Sequence, residues 1–245
     1  MNSLPRVVCV LASVAALGCS NYATPHHPYA PLLSGGGQVE ATVTAGASGT
    51  TAPTFAAQVA ISPVDHFVIV AGGDVDPFAY DRNTQHIAGE LALGAYVIDG
   101  PELRAEVLVG AGGGYGTGQW LPDSGDDDSL LRGRYFRPFI QGTVAHVVDF
   151  FTFGGGLRLG VTFADIAVLP GPMTYYPPRG GRTSQVHIDP FITFRFRYDV
   201  FEAELTGGAS LSGGDAIVGA PVNGFGGLRL RLRFQAWDPG GAPSE

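Results

Sequence analysis

The chain has 245 residues, of which 37 are glycine and 45% are hydrophobic, and its formal net charge is −8. All 14 basic residues are arginine, and they form no basic stripe, which argues against nucleic-acid binding. No stretch beyond the amino terminus reaches the ~18 consecutive apolar residues of a transmembrane helix, so helical membrane spans are excluded.

The amino terminus is predicted to be a secretory signal over residues 1–18. It carries a single charge, Arg6, before an apolar run that ends in Ala16-Leu17-Gly18-Cys19. This ending resembles the lipobox of bacterial lipoproteins, although leucine stands two residues before the cysteine instead of three. The resemblance implies that Cys19 is lipidated; cleavage without lipid is the alternative. With Cys9 inside the signal, no thiol then remains for a disulfide or a cysteine metal site.

Residues 19–37 are predicted to be a tether. The segment is rich in proline, glycine and serine and shows no periodicity. His26 and His27 offer two metal ligands but no third ligand lies nearby, so a solvated linker is the favoured interpretation. We expect no metal site and no other cofactor.

Residues 38–236 alternate apolar and polar residues in ten stretches, which predicts strands with two unlike faces. In the clearest stretch, 183–198, Val186 and Ile188 alternate with His187 and Asp189. The predicted strands cover about 38–47, 54–62, 67–76, 86–97, 102–117, 135–146, 150–165, 183–198, 201–211 and 228–234.

The links between these strands alternate in length. Short links at 63–66, 99–101, 147–149 and 198–199 alternate with long ones at 77–85, 119–134, 166–182 and 212–221. Outer-membrane barrels turn tightly on the periplasmic side and loop widely outside, and aromatic residues near both strand ends are typical of their interface belts. The sequence therefore predicts an all-β fold, a single antiparallel up-and-down transmembrane β-barrel of about ten strands. Residues 237–245 would form a C-terminal tail.

The start of the mature chain resembles a group of small outer-membrane β-barrel lipoproteins. The resemblance is carried by Cys19, by Pro-His-His-Pro-Tyr-Ala-Pro-Leu-Leu at 25–33, and by Gly-Gln-Val-Glu at 37–40. That group has the same order of cysteine, short Pro/Tyr tether, Pro-Leu-Leu and a Gly-Glu or Gly-Gln start of the barrel. The resemblance implies an outer-membrane location and implies no activity.

If the apolar faces meet lipid, the polar faces line the lumen. Neighbouring strands set Glu202 and Glu204 against arginines on either side, and these should pair because an unpaired internal charge is costly. A barrel of about 8–10 strands encloses little beyond its own side chains, so we expect a filled lumen; an anion path along the arginines, a narrow pore, is the alternative. The predicted charge network comprises Arg158, Arg195, Arg197, Arg229, Arg231, Arg233, Glu90, Glu106, Glu202 and Glu204.

The favoured function is structural or interactional at the cell outer membrane, with no catalysis expected. Membrane lipids and lipopolysaccharide would be the neighbours, and loops 119–134 and 166–182 the contact surfaces for any partner. The first alternative is a lipid-anchored soluble barrel that binds a small apolar ligand, which would place apolar residues inside and arginines outside.

A remote alternative is a hydrolase at the rim. Asp74 and Asp76 are predicted on the lumen face near one long loop, and His187 and Asp189 near another. Omptin proteases, which are ten-stranded, place an Asp pair and an Asp/His pair at the outer rim, where such groups can activate water. Here the histidine precedes the aspartate, the reverse of the omptin order, and the predicted strands barely project beyond the bilayer. The hypothesis requires all four side chains to converge.

Overall fold

The computed structural model describes residues 28–48, 53–75, 85–100, 102–119, 130–169, 180–214 and 222–237. They form ten antiparallel strands that close into one barrel, which confirms the predicted fold. No helix in these ranges is long and apolar enough to cross a membrane. The predicted signal, Cys9 and Cys19 lie outside the described residues.

Each strand pairs with its neighbours in sequence, and the first pairs with the last. Links after the even-numbered strands up to the eighth hold four residues or fewer, and links after the third, fifth, seventh and ninth hold seven or more. These eight links confirm the predicted alternation and define a short-turn end and a long-loop end. The link after the first strand, expected on the long side, holds four residues, no more than the link after the second. The strands are β1 Gln38–Ser48, β2 Pro53–Ser62, β3 Phe67–Val75, β4 Gln85–Asp99, β5 Leu103–Gln119, β6 Leu130–Val148, β7 Phe151–Leu169, β8 Gly181–Tyr198, β9 Phe201–Gly214 and β10 Val222–Gln235.

Four consecutive strands, β5 to β8, form a taller wall, with 17, 19, 19 and 18 residues. At ~3.3 Å per residue and a tilt of ~40°, such strands rise about 45 Å, well above the ~25 Å apolar band of an outer-membrane barrel. The expectation that strands barely project was therefore wrong. β6 begins at Leu130 and β7 ends at Leu169, so the links are 120–129 and 170–180, shorter than the predicted loops 119–134 and 166–182. Beyond the apolar band the outer face carries polar residues such as Arg132 and Arg134, which hide the strand period in the sequence.

The barrel is apolar outside and polar over much of its inside. Along β8, Val186, Ile188 and Phe196 are 42–53% exposed on the outer face, whereas Gln185 and Arg195 are buried. This arrangement contradicts the soluble ligand-binding alternative, which needs the opposite sidedness. Large outer-face side chains on other strands include Val43, Val59, Leu91, Val107, Ile140, Leu157, Leu205 and Leu230.

Glycines make room for aromatic rings on the lumen face. Gly110 lies opposite Phe139 in the β5–β6 register, and Gly156 lies opposite Phe191 in the β7–β8 register. A Cβ on Gly156 would lie 2.6 Å from Phe191 Cζ. The high glycine content inside strands thus serves internal packing.

Replacing Gly156 by valine should destabilise the barrel by about 1–3 kcal/mol, the usual cost of overpacking, because Phe191 and the Gly142 carbonyl already occupy the space. Gly142→Val is the matched control, since a Cβ there meets nothing within 4 Å. The check is the denaturant midpoint of refolded protein; equal midpoints for the two variants would contradict the packing argument.

Candidate functional site in the barrel lumen

The lumen contains the polypeptide that precedes β1. Residues 28–36, here called the plug, lie inside the barrel, and Tyr29, Ala30, Leu32 and Leu33 are each no more than 2% exposed. The prediction of a solvated linker is therefore wrong for this part of the tether; residues 19–27, with His26 and His27, lie outside the described residues. The physical reason is that the lumen offers both apolar contacts and hydrogen-bond donors to the segment.

Gly37 turns the plug into β1 at the short-turn end. Its φ is +77°, a left-handed conformation that favours glycine, and a Cβ there would collide with the carbonyl of Trp237. The Gly37 N–H donates to Ser62 O at 2.6 Å, and the Gly36 N–H donates to Asp65 Oδ1 at 2.6 Å. These contacts fix the point where the chain reverses direction.

Arginines of β8 and β10 hold the plug by its backbone carbonyls. Arg229 donates to Pro28 O at 2.6 Å. Arg195 donates to Ala30 O at 2.6 Å, and Arg231 donates to the same oxygen at 3.1 Å. Hydrogen bonds from charged donors are stronger than neutral ones. Because these bonds end on backbone carbonyls, they hold the plug largely independently of its side chains.

Arginines also hold the part of the plug that lies nearer the short-turn end. Arg233 donates to Pro31 O at 2.7 Å, and Arg104 donates to Leu32 O at 3.0 Å. Leu32 has a φ of +51°, a conformation that costs a bulky residue of the order of 1–3 kcal/mol. That conformation lets its N–H donate to Glu106 Oε2 at 3.2 Å.

Tyr29 is the most enclosed side chain of the plug. Its hydroxyl donates to Glu40 Oε1 at 2.7 Å and lies 3.3 Å from Thr42 Oγ1. Its carbonyl accepts from Gln141 Nε2 at 2.8 Å, and its ring lies 5.0 Å from the guanidinium of Arg231. The ring therefore contacts an apolar surface and a cation at once.

Glu204 is the central carboxylate of the lumen. It accepts from Arg195 Nε and Nη2 at 3.1 and 2.9 Å, from Arg229 Nη1 at 2.8 Å and from Arg231. The carboxylate is fully buried. One anion thus balances three guanidinium groups that also hold the plug.

Two further carboxylates, those of Glu40 and Glu202, extend this network. Glu40 on β1 accepts from Arg231 and Arg233 on β10, so ion pairs cross the seam that closes the barrel. Glu202 accepts from Arg197 Nε at 2.8 Å. The strand register places these groups side by side on one face.

Arg158 on β7 forms a second group of contacts, which Gln141 joins to the plug. Arg158 donates to Glu90 Oε2 at 3.0 Å and to Gln141 Oε1 at 2.9 Å, and its guanidinium lies 4.1 Å from the ring centre of Phe139. Within the predicted network of ten residues, Arg158 pairs with Glu90, five arginines pair with Glu202 and Glu204, and Glu106 bonds to the plug.

One side of the lumen is apolar, which the sequence analysis missed. Tyr29 and Leu33 pack into a buried cluster on β2 to β6. The sequence does contain a signal for this apolar side, namely the continuous apolar runs at 67–71, 91–93 and 107–109. A strand that is apolar on both faces needs apolar surroundings on the lumen side as well. The wall members of this cluster are Ala60, Val68, Val70, Ala92, Tyr96, Leu108 and Phe139.

At the long-loop end, Asp74 pairs across β3 and β4. His86 Nδ1 lies 3.1 Å from Asp74 Oδ1, and His86 Nε2 lies 2.7 Å from the Tyr135 hydroxyl. The rings of His86 and Tyr135 stack with centres 5.7 Å apart. Neither His86 nor Tyr135 belonged to the predicted rim set; Asp76 lies outside the described residues.

The other predicted rim residues bond to different groups. His187 Nε2 lies 2.8 Å from Thr162 Oγ1. Asp189 accepts from Arg137 at 3.4 Å and from the Ser210 hydroxyl. The contacts of His187 and Asp189 are thus to β6, β7 and β9, and not to Asp74. Among the described residues, no group of three or more His, Cys, Asp or Glu side chains could hold a metal ion.

No family model and no curated protein sequence matches the chain significantly. Its fold is similar to that of the outer membrane protease OmpT from Escherichia coli, with a TM-score of 0.51 at 12% identity over 82% of this chain and 98% of that one. The N-terminal β-barrel domain of OprF from Pseudomonas aeruginosa gives 0.36 at 9% identity, over 82% and 100% of the two chains. The translocator domain of autotransporter NalP from Neisseria meningitidis gives 0.40 at 10% identity, over 94% and 93%. The likeness to OmpT supports the fold alone.

Replacing Glu204 by glutamine should destabilise the barrel by about 3–5 kcal/mol, because it leaves three buried guanidinium groups without their shared anion. The matched control is Glu102→Gln, whose carboxylate is 65% exposed beside His146 and should change stability by less than about 1 kcal/mol. Denaturant unfolding of both variants provides the measurement. Similar losses at the two sites would contradict the central role of Glu204.

Deleting residues 28–33 should open an anion-selective conductance. Six arginines and four glutamates surround the plug, so its removal leaves an excess of cationic donors facing water. Planar-bilayer recordings should find the full chain silent and the deletion variant conducting with preference for chloride. A cation preference, or an equally conducting full chain, would contradict the assignment.

Proposed function

We propose that the chain is an outer-membrane β-barrel lipoprotein of a Gram-negative bacterium, exported by residues 1–18 and anchored through lipid on Cys19. Its role is structural or interactional at the cell surface, and it has no catalytic or conducting function. The observation that carries the proposal is the combination of an apolar exterior with a lumen occupied by the protein's own amino-terminal segment.

The exterior supports a membrane environment. Large apolar side chains cover the outer face of every strand, among them Val43 on β1, Ile188 on β8 and Leu230 on β10. Soluble monomers rarely expose contiguous apolar patches beyond a few hundred Å². Exposed aromatic side chains such as Phe150 and Tyr198 lie at the short-turn end, as in an interface belt.

The lumen supports a closed barrel. Charged side chains, aromatic rings and the plug fill the half of the lumen nearer the short turns. The buried guanidinium groups there are bound to carboxylates and carbonyls. A solute path would require these contacts to break. This favours a closed barrel over a narrow pore.

The taller wall formed by β5 to β8 supports an interaction role on the long-loop side. β5 to β8 project beyond the apolar band and carry the links 120–129 and 170–180, which lie within the predicted contact loops. Arg132, Arg134 and Arg182 are exposed on this wall, Arg134 near Asp165 at 3.8 Å. Guanidinium groups bind phosphate in bidentate fashion, so this surface suits the phosphates of lipopolysaccharide.

The rim groups support the absence of catalysis in this proposal. His187, Asp189 and Asp74 each bond to a different neighbour, and a water-activating centre would need them to converge. The likeness to OmpT concerns the fold and brings no activity to this chain.

Membrane extraction of the Cys19→Ser variant tests the proposal. Without its lipid, the barrel should remain in the outer-membrane fraction, resist alkaline extraction, and migrate differently on a gel before and after boiling. The matched control is the wild-type chain, from which the variant should differ only by the loss of the lipid mass. A variant released by alkali would show that lipid alone held the protein on the membrane, which would overturn the proposal.

A further inference from the structure

A row of polar side chains crosses the outer face of the taller wall near the long loops. The strand register sets Tyr115 on β5 beside Arg134 on β6. It sets Asp165 on β7 beside both Arg134 and Arg182, the latter on β8. All four side chains are exposed, and Arg132, two residues before Arg134, lies on the same face. On the described residues of the other strands, this part of the outer face carries no charged side chain.

Aromatic rings lie next to this row on the side of the short turns. Phe136 and Phe163 are cross-strand partners one step nearer the short-turn end, and they are 53% and 51% exposed. Together with Arg134, Asp165 and Arg182 they line a groove of about 360 Å³ on the outside of the barrel. The groove therefore combines guanidinium groups on one side with an apolar surface on the other.

The height of the groove matches the boundary of a bilayer. At ~3.3 Å per residue and a tilt of ~40°, Phe163 lies about 30 Å above Phe151, the first residue of β7, and Asp165 lies about 35 Å above it. The apolar band of an outer-membrane barrel is ~25 Å tall, and aromatic girdles flank it. The two phenylalanines of the groove would thus lie at the interface, and the arginines at the level of the lipid headgroups.

The polar row has an excess of positive charge. Three arginines stand against one carboxylate, that of Asp165. Within the described residues, the ion pair of the row joins Arg134 Nη2 to Asp165 Oδ2 at 3.8 Å, and the arginine side chain is 81% exposed. Arg132 donates to the Tyr115 hydroxyl, and its guanidinium carbon lies 5.6 Å from the centre of that ring. Guanidinium groups bind phosphate through two parallel hydrogen bonds, so the row is complementary to a headgroup that carries several phosphate charges.

We infer that this groove binds lipopolysaccharide, with a phosphate of its lipid headgroup between Arg134 and Arg182 and an acyl chain along Phe136 and Phe163. The two arginines lie two strands apart, about 10 Å between their backbones, which leaves room for a phosphate above Asp165. The inference rests on the proposed function, because long loops that face outward place the groove in the outer leaflet. The lipid would then bind one side of the barrel, the taller wall.

Titration of the purified full chain in detergent with lipopolysaccharide tests the site. The double variant Arg134→Gln, Arg182→Gln should bind at least about tenfold more weakly, because it loses two charged hydrogen-bond donors. Asp165→Asn should bind more tightly, since it removes the carboxylate that opposes the phosphate. The matched control, Asp149→Asn with Asp199→Asn, also removes two charges, but at the short-turn end, and should bind as the wild type does. Asparagine tolerates the positive φ of both control positions.

Equal affinities of the arginine double variant and the wild type would overturn the inference, as would equally tight binding of lipopolysaccharide stripped of its phosphates. Phosphatidylglycerol bound as tightly as lipopolysaccharide would assign the groove to phospholipid headgroups instead. The titration uses no membrane, so it remains decisive if alkali releases the Cys19→Ser variant. Conversely, a barrel that resists extraction but whose affinity ignores Arg134 and Arg182 retains the proposed function and loses only this site.

Discussion

Buried guanidinium groups constrain the whole structure, because each needs partners inside a narrow, water-poor lumen. Arg231 is 1% exposed and bonds to Glu40, Glu204 and the carbonyl of Ala30. The carboxylates around the plug are fewer than the guanidinium groups. Backbone carbonyls of the plug therefore complete the hydrogen bonding of these groups.

The same contacts couple closure of the barrel to docking of the plug. Glu40 lies on β1, its arginine partners lie on β10, and Tyr29 of the plug donates to it. The seam between the first and last strands is thus bridged by hydrogen bonds that include the plug. Docking of the plug should therefore stabilise the closed seam, since Tyr29 adds a hydrogen bond to the ion pairs that cross it.

The strands and their faces followed from the sequence because an apolar outer face and a polar inner face impose a period of two on each strand. The opposition of Glu204 to Arg229 followed from the same alternation, since neighbouring strands of an up-and-down barrel pair in order. The height of β6 did not follow, because its outer face near the long loops carries the polar residues Arg132 and Arg134, which interrupt the apolar alternation. The pairing of Asp74 with His86 depended on the register across a long link, which local pattern does not determine.

The plug was missed for a different reason. Residues 28–33 are held through carbonyls, which every residue possesses, so their sequence carries no motif for this role. Their apolar side chains, Tyr29, Leu32 and Leu33, are too few to show a period. The complementary signal lay in the strands, where apolar runs such as 67–71 required an apolar partner inside the lumen.

The plug lies in the lumen, and the outer face of the barrel is apolar. The plug should occupy the lumen in solution as it does in the structure. Hydrogen exchange of the Leu32 and Leu33 amides in the folded, detergent-solubilised chain tests it most directly, because slow opening is resolved by exchange. Protection over hours, comparable with that of the amides inside β10, is the predicted result. Exchange within seconds, as in an unstructured tail, would show that the segment lies outside the lumen and would contradict the account.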